Sequence, residues 1–228
     1  MAQEIERSNG RSGELVLRRG PAGLEIIANG VFLVSAANCA SSRALLTSAW
    51  PRVAGGGLRV LIGGLGIGDA LDEALVCERV AHVTVVELEP AIVRWFFGYG
   101  GAIAERAAAA LDAGCAAMVT GDVADVLSRA AAWDVIALDT DNGPDWLVRD
   151  DNARLYSLAG LEHVARALRP GGVAVFWSAE AAPAFAARLA TVFATVEADE
   201  VEDVIDGRVI TATLYVACGR RADGRTGG

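Results

Sequence analysis

One turn constrains this chain more than any other feature. Ile62-Gly63-Gly64-Leu65-Gly66-Ile67-Gly68-Asp69 links the apolar run Leu58–Ile62 to a helical stretch opening at Asp69. Glycines at 63, 64, 66 and 68 let the backbone turn sharply and approach a ligand, and the following helix presents unpaired N–H groups. A strand feeding a helix through such a turn belongs in an open α/β sheet. The rest of the chain keeps that rhythm. HVTVVELE reads as a strand, with a helix opening at Pro90, where the missing N–H of proline costs nothing. Asp69–Arg79 and Ala102–Ala113 are predicted helices, CAAMVTGD a strand, Val123–Ala132 a helix and WDVIALD a strand. Ala153–Leu168 is a predicted helix stopped by Arg169-Pro170-Gly171-Gly172, followed by the strand GVAVFWS and a helix over Ala182–Phe193. Alternation of this kind predicts a mainly parallel sheet with helices on both faces. Two last strands, near Thr195–Val201 and Arg208–Ala217 with only Asp206-Gly207 as a turn, predict an antiparallel C-terminal edge.

Upstream lie three β-prone runs, ELVLRR, LEIIA and VFLVS, divided by Gly20-Pro21-Ala22-Gly23 and by Asn29-Gly30. Asn-Gly between apolar runs is a strong hairpin signal, since both residues accept positive φ. The expected organisation is a flexible N-terminus over 1–13 and a small β-hairpin and helix element over 14–54. A nucleotide-binding domain follows over 55–218, then a flexible tail over 219–228.

With 228 residues, 53% of them hydrophobic, the chain can bury a sizeable core and is not a disordered segment. Asp+Glu number 29 against 20 basic residues, a net charge of −9, and that field repels a polyphosphate backbone. A small cationic substrate is attracted instead. All the basic residues are Arg, which removes Schiff-base and Walker-lysine chemistry. Four scattered cysteines and two histidines give neither a disulfide framework nor a zinc set, so no metal is expected. The N-terminus lacks an apolar leader and charges interrupt the Ala-rich stretches, so a cytoplasmic protein with no membrane or nucleic-acid partner is expected.

Ligands of open α/β sheets bind at the carboxyl ends of the strands. Glu87 ends the second strand about 20 residues after the glycine turn, where a carboxylate accepts both hydroxyls of an adenosine ribose. Glu89, two residues on, reads as a loop or helix-start acid. Asp122, in Val119-Thr120-Gly121-Asp122, suits an adenine amine, a helix N-cap, or both. The fourth strand ends in Asp139-Thr140-Asp141-Asn142-Gly143-Pro144-Asp145. Asp139 directly follows the buried run and points to the cleft, as a group that holds a cation or takes a proton from a nucleophile. Asn142-Gly143 reads as an Asx turn.

Together GGLGIG, VVELEP, VTGD, VIALDTDNGP and ALRPGG resemble, in order, the Rossmann-like AdoMet-dependent transferases. More narrowly the chain resembles the spermidine synthase (polyamine aminopropyltransferase) family over about residues 14–217. The resemblance implies an α/β fold: a Rossmann-like AdoMet-transferase sheet behind a small N-terminal β element. It also implies AdoMet or decarboxylated AdoMet as donor substrate, held by Gly63, Gly64, Gly66, Gly68, Glu87, Leu88, Gly121, Asp122, Val123 and Asp139. Asp139 and Asp141 are the implied catalytic acids, the acceptor a small molecule, and the assembly a homodimer. The chain departs from the family in three places. The Asp of the family's G-G-G-D-G-G, which holds the donor's ammonium, falls on Gly66; the second acid of its D-S-x-D-P loop is displaced to Asp141; and VFLVSAANCASSRALL lacks the family's Gln and Tyr-His/Gln-Glu amine-binding groups.

Four functions compete on this reading. Transfer from a sulfonium donor needs alignment and water exclusion but no protein nucleophile, which suits a chain without a Ser/His/Asp triad. Within it, methyl transfer is weakly favoured because the ammonium contact is missing, and aminopropyl transfer to an amine is the alternative. A non-catalytic adenosyl-nucleoside-binding protein is the third. NAD-dependent oxidoreduction fits the glycine turn alone. Trp146 is the preferred aromatic wall of the substrate site. Trp95, Phe96, Phe97 and Tyr99 are expected in the core, His82 and His163 at the surface, and Tyr156, Trp177 and Cys39 carry no assigned role.

Overall fold

In the computed structural model the described residues are 2–36, 39–140, 142–147, 150–205 and 208–221. The chain opens with a four-stranded antiparallel meander, β1 (Gln3–Gly10), β2 (Gly13–Gly20), β3 (Gly23–Ala28) and β4 (Val31–Ser35). Asn29 and Gly30 have φ of 50° and 79°, so the predicted hairpin turn is formed as its residues require. The stretch expected to be frayed is instead largely strand: β1 pairs along β2 from Gln3–Arg19 to Gly10–Gly13. It is pinned by Glu6, whose carboxylate accepts from Trp95 Nε1 at 2.7 Å and from the Tyr99 hydroxyl at 2.6 Å.

Helix α1 (Cys39–Thr47) leads into a seven-stranded sheet. Its strands are β5 (Leu58–Gly63), β6 (Val80–Glu87), β7 (Ala116–Thr120), β8 (Trp133–Leu138), β9 (Leu168–Ser178), β10 (Phe193–Ile205) and β11 (Arg208–Arg220), in the order β10-β11-β9-β8-β5-β6-β7. Strands β5 to β9 run parallel, and β11 pairs antiparallel with both β9 and β10. The antiparallel edge expected from sequence is therefore present. Helices are α2 (Asp69–Val76), α3 (Pro90–Tyr99), α4 (Gly101–Asp112), α5 (Val123–Val126), α6 (Ala153–Tyr156), α7 (Leu158–Ala167) and α8 (Pro183–Val192).

Strand alternation divides two apolar cores. Val60, Ile62, Val83, Val85, Val135 and Val175 face the core shared with α1 to α4 and the meander. Leu61, Val86, Ile136, Leu138 and Phe176 face a second core with Leu161, Val164, Phe185 and Leu189 of α7 and α8. Burial on both faces explains why the central strands read as continuous apolar runs. The helix predicted over Val123–Ala132 closes after one turn, at Val126. The helix predicted over Ala153–Leu168 is two helices: Ser157, at ψ 160°, leaves the helical conformation and its side chain accepts from Gly160 N at 3.1 Å, capping α7. Likewise α2 ends at Val76, not Arg79, and the freed Arg79 guanidinium bonds the carbonyls of Trp50, Val53 and Gly55. Among the described residues no helix is long and apolar enough to cross a membrane.

Candidate active site

Strand order reverses direction between β5 and β8, since β6 and β7 extend from one side of β5 while β8 and β9 extend from the other. A crevice opens at the carboxyl ends at such a point. Gly64 lies at its floor with φ 96°, and a Cβ there would run into the backbone carbonyl oxygen of Asp139. Asp139 N in turn donates to Gly63 O at 2.8 Å, and Gly64 N to Val86 O at 2.9 Å, so the tips of β5, β6 and β8 are tied together. Gly68, φ 99°, sits where a Cβ would strike the Phe96 ring. The sequence needs glycine at these two places for steric reasons as well as for ligand approach.

Glu87, at the end of β6, is 6% exposed. Its carboxylate accepts from Leu65 N and from Glu89 N, each at 2.8 Å. Burial pushes its pKa up, while these N–H donors pull the other way. Each oxygen keeps a further lone pair for a ligand hydroxyl. Glu89 stands at the start of α3, as one of its two expected readings has it, but it is 3% exposed rather than solvated: it accepts from Arg11 N at 2.9 Å and Ser12 N at 2.6 Å and so clasps the β1–β2 tip over the crevice. Asp122 is the N-cap of α5, accepting from Ala124 N at 2.9 Å, and its other oxygen pairs with Arg154. Leu88, Gly121, Asp122 and Val123 line the same cleft as Gly64, Gly66 and Glu87. Gly63 and Gly68 act from behind that lining, as packed turn residues.

Asp139 is half-buried at the tip of β8 and lines the cleft. Beside it the Thr140 hydroxyl lies 3.2 Å from the Tyr156 hydroxyl. Asp141, the second expected acid, lies outside the described residues. Trp146 does not fill its expected role: it is 51% exposed and borders a separate small depression with Asp145 and Glu180. Among the described lining residues the aromatic one is Trp177, one residue past the Leu138–Phe176 pair that brings β9 alongside β8. Trp95 and Phe96 are core residues, as expected, whereas Phe97 is exposed and Tyr99 is half-buried. His163 is exposed and His82 half-buried.

Sequence reasoning missed Asp69. It opens α2, is 7% exposed and lines the cleft. Burial raises its pKa, with Arg43, 3.3 Å away, opposing the shift. Arg43 is shared with Asp72, which accepts from it at 2.9 Å and also pairs with Arg106. The signal was available: side chains of a helix lean toward its N-terminus, so an acid at the first helical position after a cleft turn leans into the cleft. The whole cleft encloses about 1170 Å³ of empty space, its open mouth included. Its described lining carries five carboxylates, Asp69, Glu87, Glu89, Asp122 and Asp139, and no Arg, Lys or His. Such a site stabilises a cation and a ribose-bearing ligand together.

A seven-stranded, mainly parallel sheet with its crevice at the β5–β8 reversal is a Rossmann-like α/β fold. The fold is, more narrowly, spermidine synthase-like. A crystal structure of spermidine synthase in complex with the transition state analogue AdoDATO superposes with a TM-score of 0.70 at 16% identity, over 95% of this chain and 72% of that one. Spermidine synthase from Thermotoga maritima gives 0.69 at 16% identity with the same coverage. No family model and no curated protein sequence matches the chain.

Proposed function

We propose that this protein is a transferase that moves an aminopropyl group from decarboxylated AdoMet to a small amine. The observation that carries this reading is the cleft lining, whose described residues include five carboxylates and no Arg, Lys or His, with Arg43 and Arg154 pairing Asp69 and Asp122 from outside it. Decarboxylated AdoMet carries a sulfonium and an ammonium and no carboxylate, so it is favoured by the excess of acids over their paired arginines; the carboxylate of AdoMet itself would meet that excess with no cationic partner in the described lining. The sequence weakly favours methyl transfer because the family's ammonium-binding acid falls on Gly66. Buried Asp69, facing the same cleft, removes that ground. The similar fold of a spermidine synthase solved in complex with AdoDATO supports the same direction.

In this reading Glu87 accepts the ribose hydroxyls, Leu88, Gly121, Asp122 and Val123 frame the adenine, and Gly64 and Gly66 let the backbone approach the sulfonium. The acceptor nitrogen's lone pair attacks the propyl carbon on sulfur. The C–S bond breaks with its electron pair going to sulfur, leaving a neutral thioether nucleoside. Asp139 takes the proton released from nitrogen, and Asp141 is the second acid of that loop. No residue becomes covalently modified, so the rate comes from alignment and exclusion of water.

Calorimetric titration of the purified protein with decarboxylated AdoMet and with AdoMet tests the donor. At least tenfold tighter binding of the decarboxylated donor is expected. Tighter binding of AdoMet would return the methyl-transfer reading. Tight binding of both with no turnover of any amine would favour a nucleoside-binding protein.

A further inference from the structure

Helix α6 is only one turn long, yet it is tied to two strand tips of the crevice. Arg154 pairs with Asp122 at the β7–α5 corner, and the Tyr156 hydroxyl lies 3.2 Å from the Thr140 hydroxyl at the β8 tip. Leu155, between them, packs into the core under α7 and α8 and lines the cleft. The chain enters this turn through Asp150–Asn152, and Asn152, 7% exposed, lines the cleft as well. Asn152 precedes Arg154 by two residues, so the Arg154–Asp122 pair brings its amide to the end of the cleft lined by Leu88, Gly121, Asp122 and Val123.

An asparagine just before a helix ordinarily serves that helix: from an extended backbone its side chain accepts from an N–H of the first turn. Ser157, at ψ 160°, does this for α7. Asn152 does not. Its φ of −73° and ψ of −14° are helical, and its side chain makes no cap bond to α6. Burying an amide is costly unless its donor and acceptor are met. Asn142, the other buried asparagine of the lining, belongs to the opposite end, where its backbone carbonyl accepts from Ala179 N at 2.9 Å just past β9. An amide offers an acceptor and a donor side by side, which matches the edge of adenine where an amine hydrogen lies beside N7.

Resting on the adenosyl-donor reading, we infer that Asn152 reads the base: its carbonyl accepts one hydrogen of the adenine amine and its NH2 donates to N7, while Asp122 accepts the other amine hydrogen. The two side chains grip the amine from both sides. A 6-oxopurine in the same place would turn an oxygen toward both acceptors, so the pair selects a 6-aminopurine nucleoside.

Matched donors isolate N7: decarboxylated AdoMet and its 7-deaza analogue, in which C–H replaces that nitrogen. Both are titrated calorimetrically against the full chain. The wild type is expected to bind the natural donor at least tenfold more tightly than the analogue, within the worth of one amide–base pair. In Asn152→Ala and in Asn152→Asp that preference should shrink below twofold, since both lack the N–H donor. The alanine variant should also bind the natural donor at least tenfold more weakly than the wild type, with an unchanged Tm because no cap is lost. A wild-type preference below tenfold, or a preference above twofold in either variant, overturns the assignment of Asn152 and leaves the donor site standing. Failure of the wild type to bind decarboxylated AdoMet overturns the donor reading, and the assignment falls with it. If Asn152→Ala loses its thermal transition, Asn152→Asp, which keeps the shape of the side chain, and the wild-type ratio decide.

Discussion

At the end of the cleft proposed to hold the nucleoside, consecutive strands β5, β6 and β7 supply the parts: a glycine turn, the Glu87 carboxylate and the Gly121–Asp122 corner. At the other end, the meander, α1, β8 and β9 converge from segments far apart in sequence, and they contribute mostly side chains. Backbone recognition depends on where glycine is permitted, so it leaves a local signature. Side-chain recognition depends on register and packing between distant segments, so it leaves none.

The sharpest way to break the nucleoside end is Gly64→Ala. A Cβ on this φ 96° residue meets the Asp139 carbonyl, so both the turn and the β5–β8 tie must shift. A left-handed alanine alone costs about 1–2 kcal/mol. With the clash, a loss of about 3 kcal/mol is expected, a fall of about 6–12 °C in Tm by calorimetry, with donor binding undetectable. A variant that retained wild-type Tm and affinity would show that the turn does not set the donor site.

Glu87→Ala acts on binding more than on folding. Hydrogen bonds to a charged group are worth about 1.5–3 kcal/mol each, so a donor Kd about 100-fold weaker is expected by calorimetry. Its pH behaviour follows from burial, which raises the pKa of Glu87. The folded state holds this proton more tightly than the unfolded chain. The contribution of the group to stability is thus fully present below the ordinary carboxylate pKa and is lost as pH rises through the folded value. Binding runs the opposite way, because the ribose hydroxyls need the charged form. Donor affinity should therefore weaken as pH falls through that raised pKa, and this dependence should vanish in Glu87→Ala.

Glu89→Ala probes the seam between the two ends. Removing its carboxylate leaves Arg11 N and Ser12 N without their acceptor. Hydrogen exchange at both amides should accelerate at least tenfold, and donor affinity should weaken about fivefold as the β1–β2 tip loosens. Unchanged exchange would mean that the tip is held by its own strand pairing.

How much of this was legible follows the same division. The parallel order, the antiparallel edge, the Asn29–Gly30 hairpin, the place of Glu87 at the end of β6 and the capping role of Asp122 were readable, because each rests on local backbone chemistry. Strand β1 was not: QEIERSNG carries one aliphatic residue and no alternation, and what fixes it is the bond of Glu6 to Trp95 and Tyr99 on a distant helix. Trp146 was preferred over Trp177 because it adjoins the acidic loop in sequence. Adjacency across β8 and β9, which places Trp177 beside Asp139, is invisible without the register. Glu89 reads as an ordinary helix-start acid until the tip of β1–β2 is seen to lie on it.

Asp122 gives the smallest effect and the finest separation, because a cap and an adenine contact differ in reach. Its Oδ1 accepts from Ala124 N at 2.9 Å, which is the cap, and it also lines the cleft. Serine caps a helix about as well as aspartate but is one atom shorter and uncharged. Asp122→Ala should lower stability by about 1 kcal/mol, or about 2–4 °C in Tm, whereas Asp122→Ser should keep the wild-type Tm. If the carboxylate also accepts from the adenine amine, both variants weaken donor binding about fivefold, the worth of one such hydrogen bond. That result is expected, since a cap at the rim of the cleft costs the ligand nothing. An unchanged Kd in the serine variant would confine Asp122 to capping and move adenine recognition onto the backbone of Gly121 and Val123.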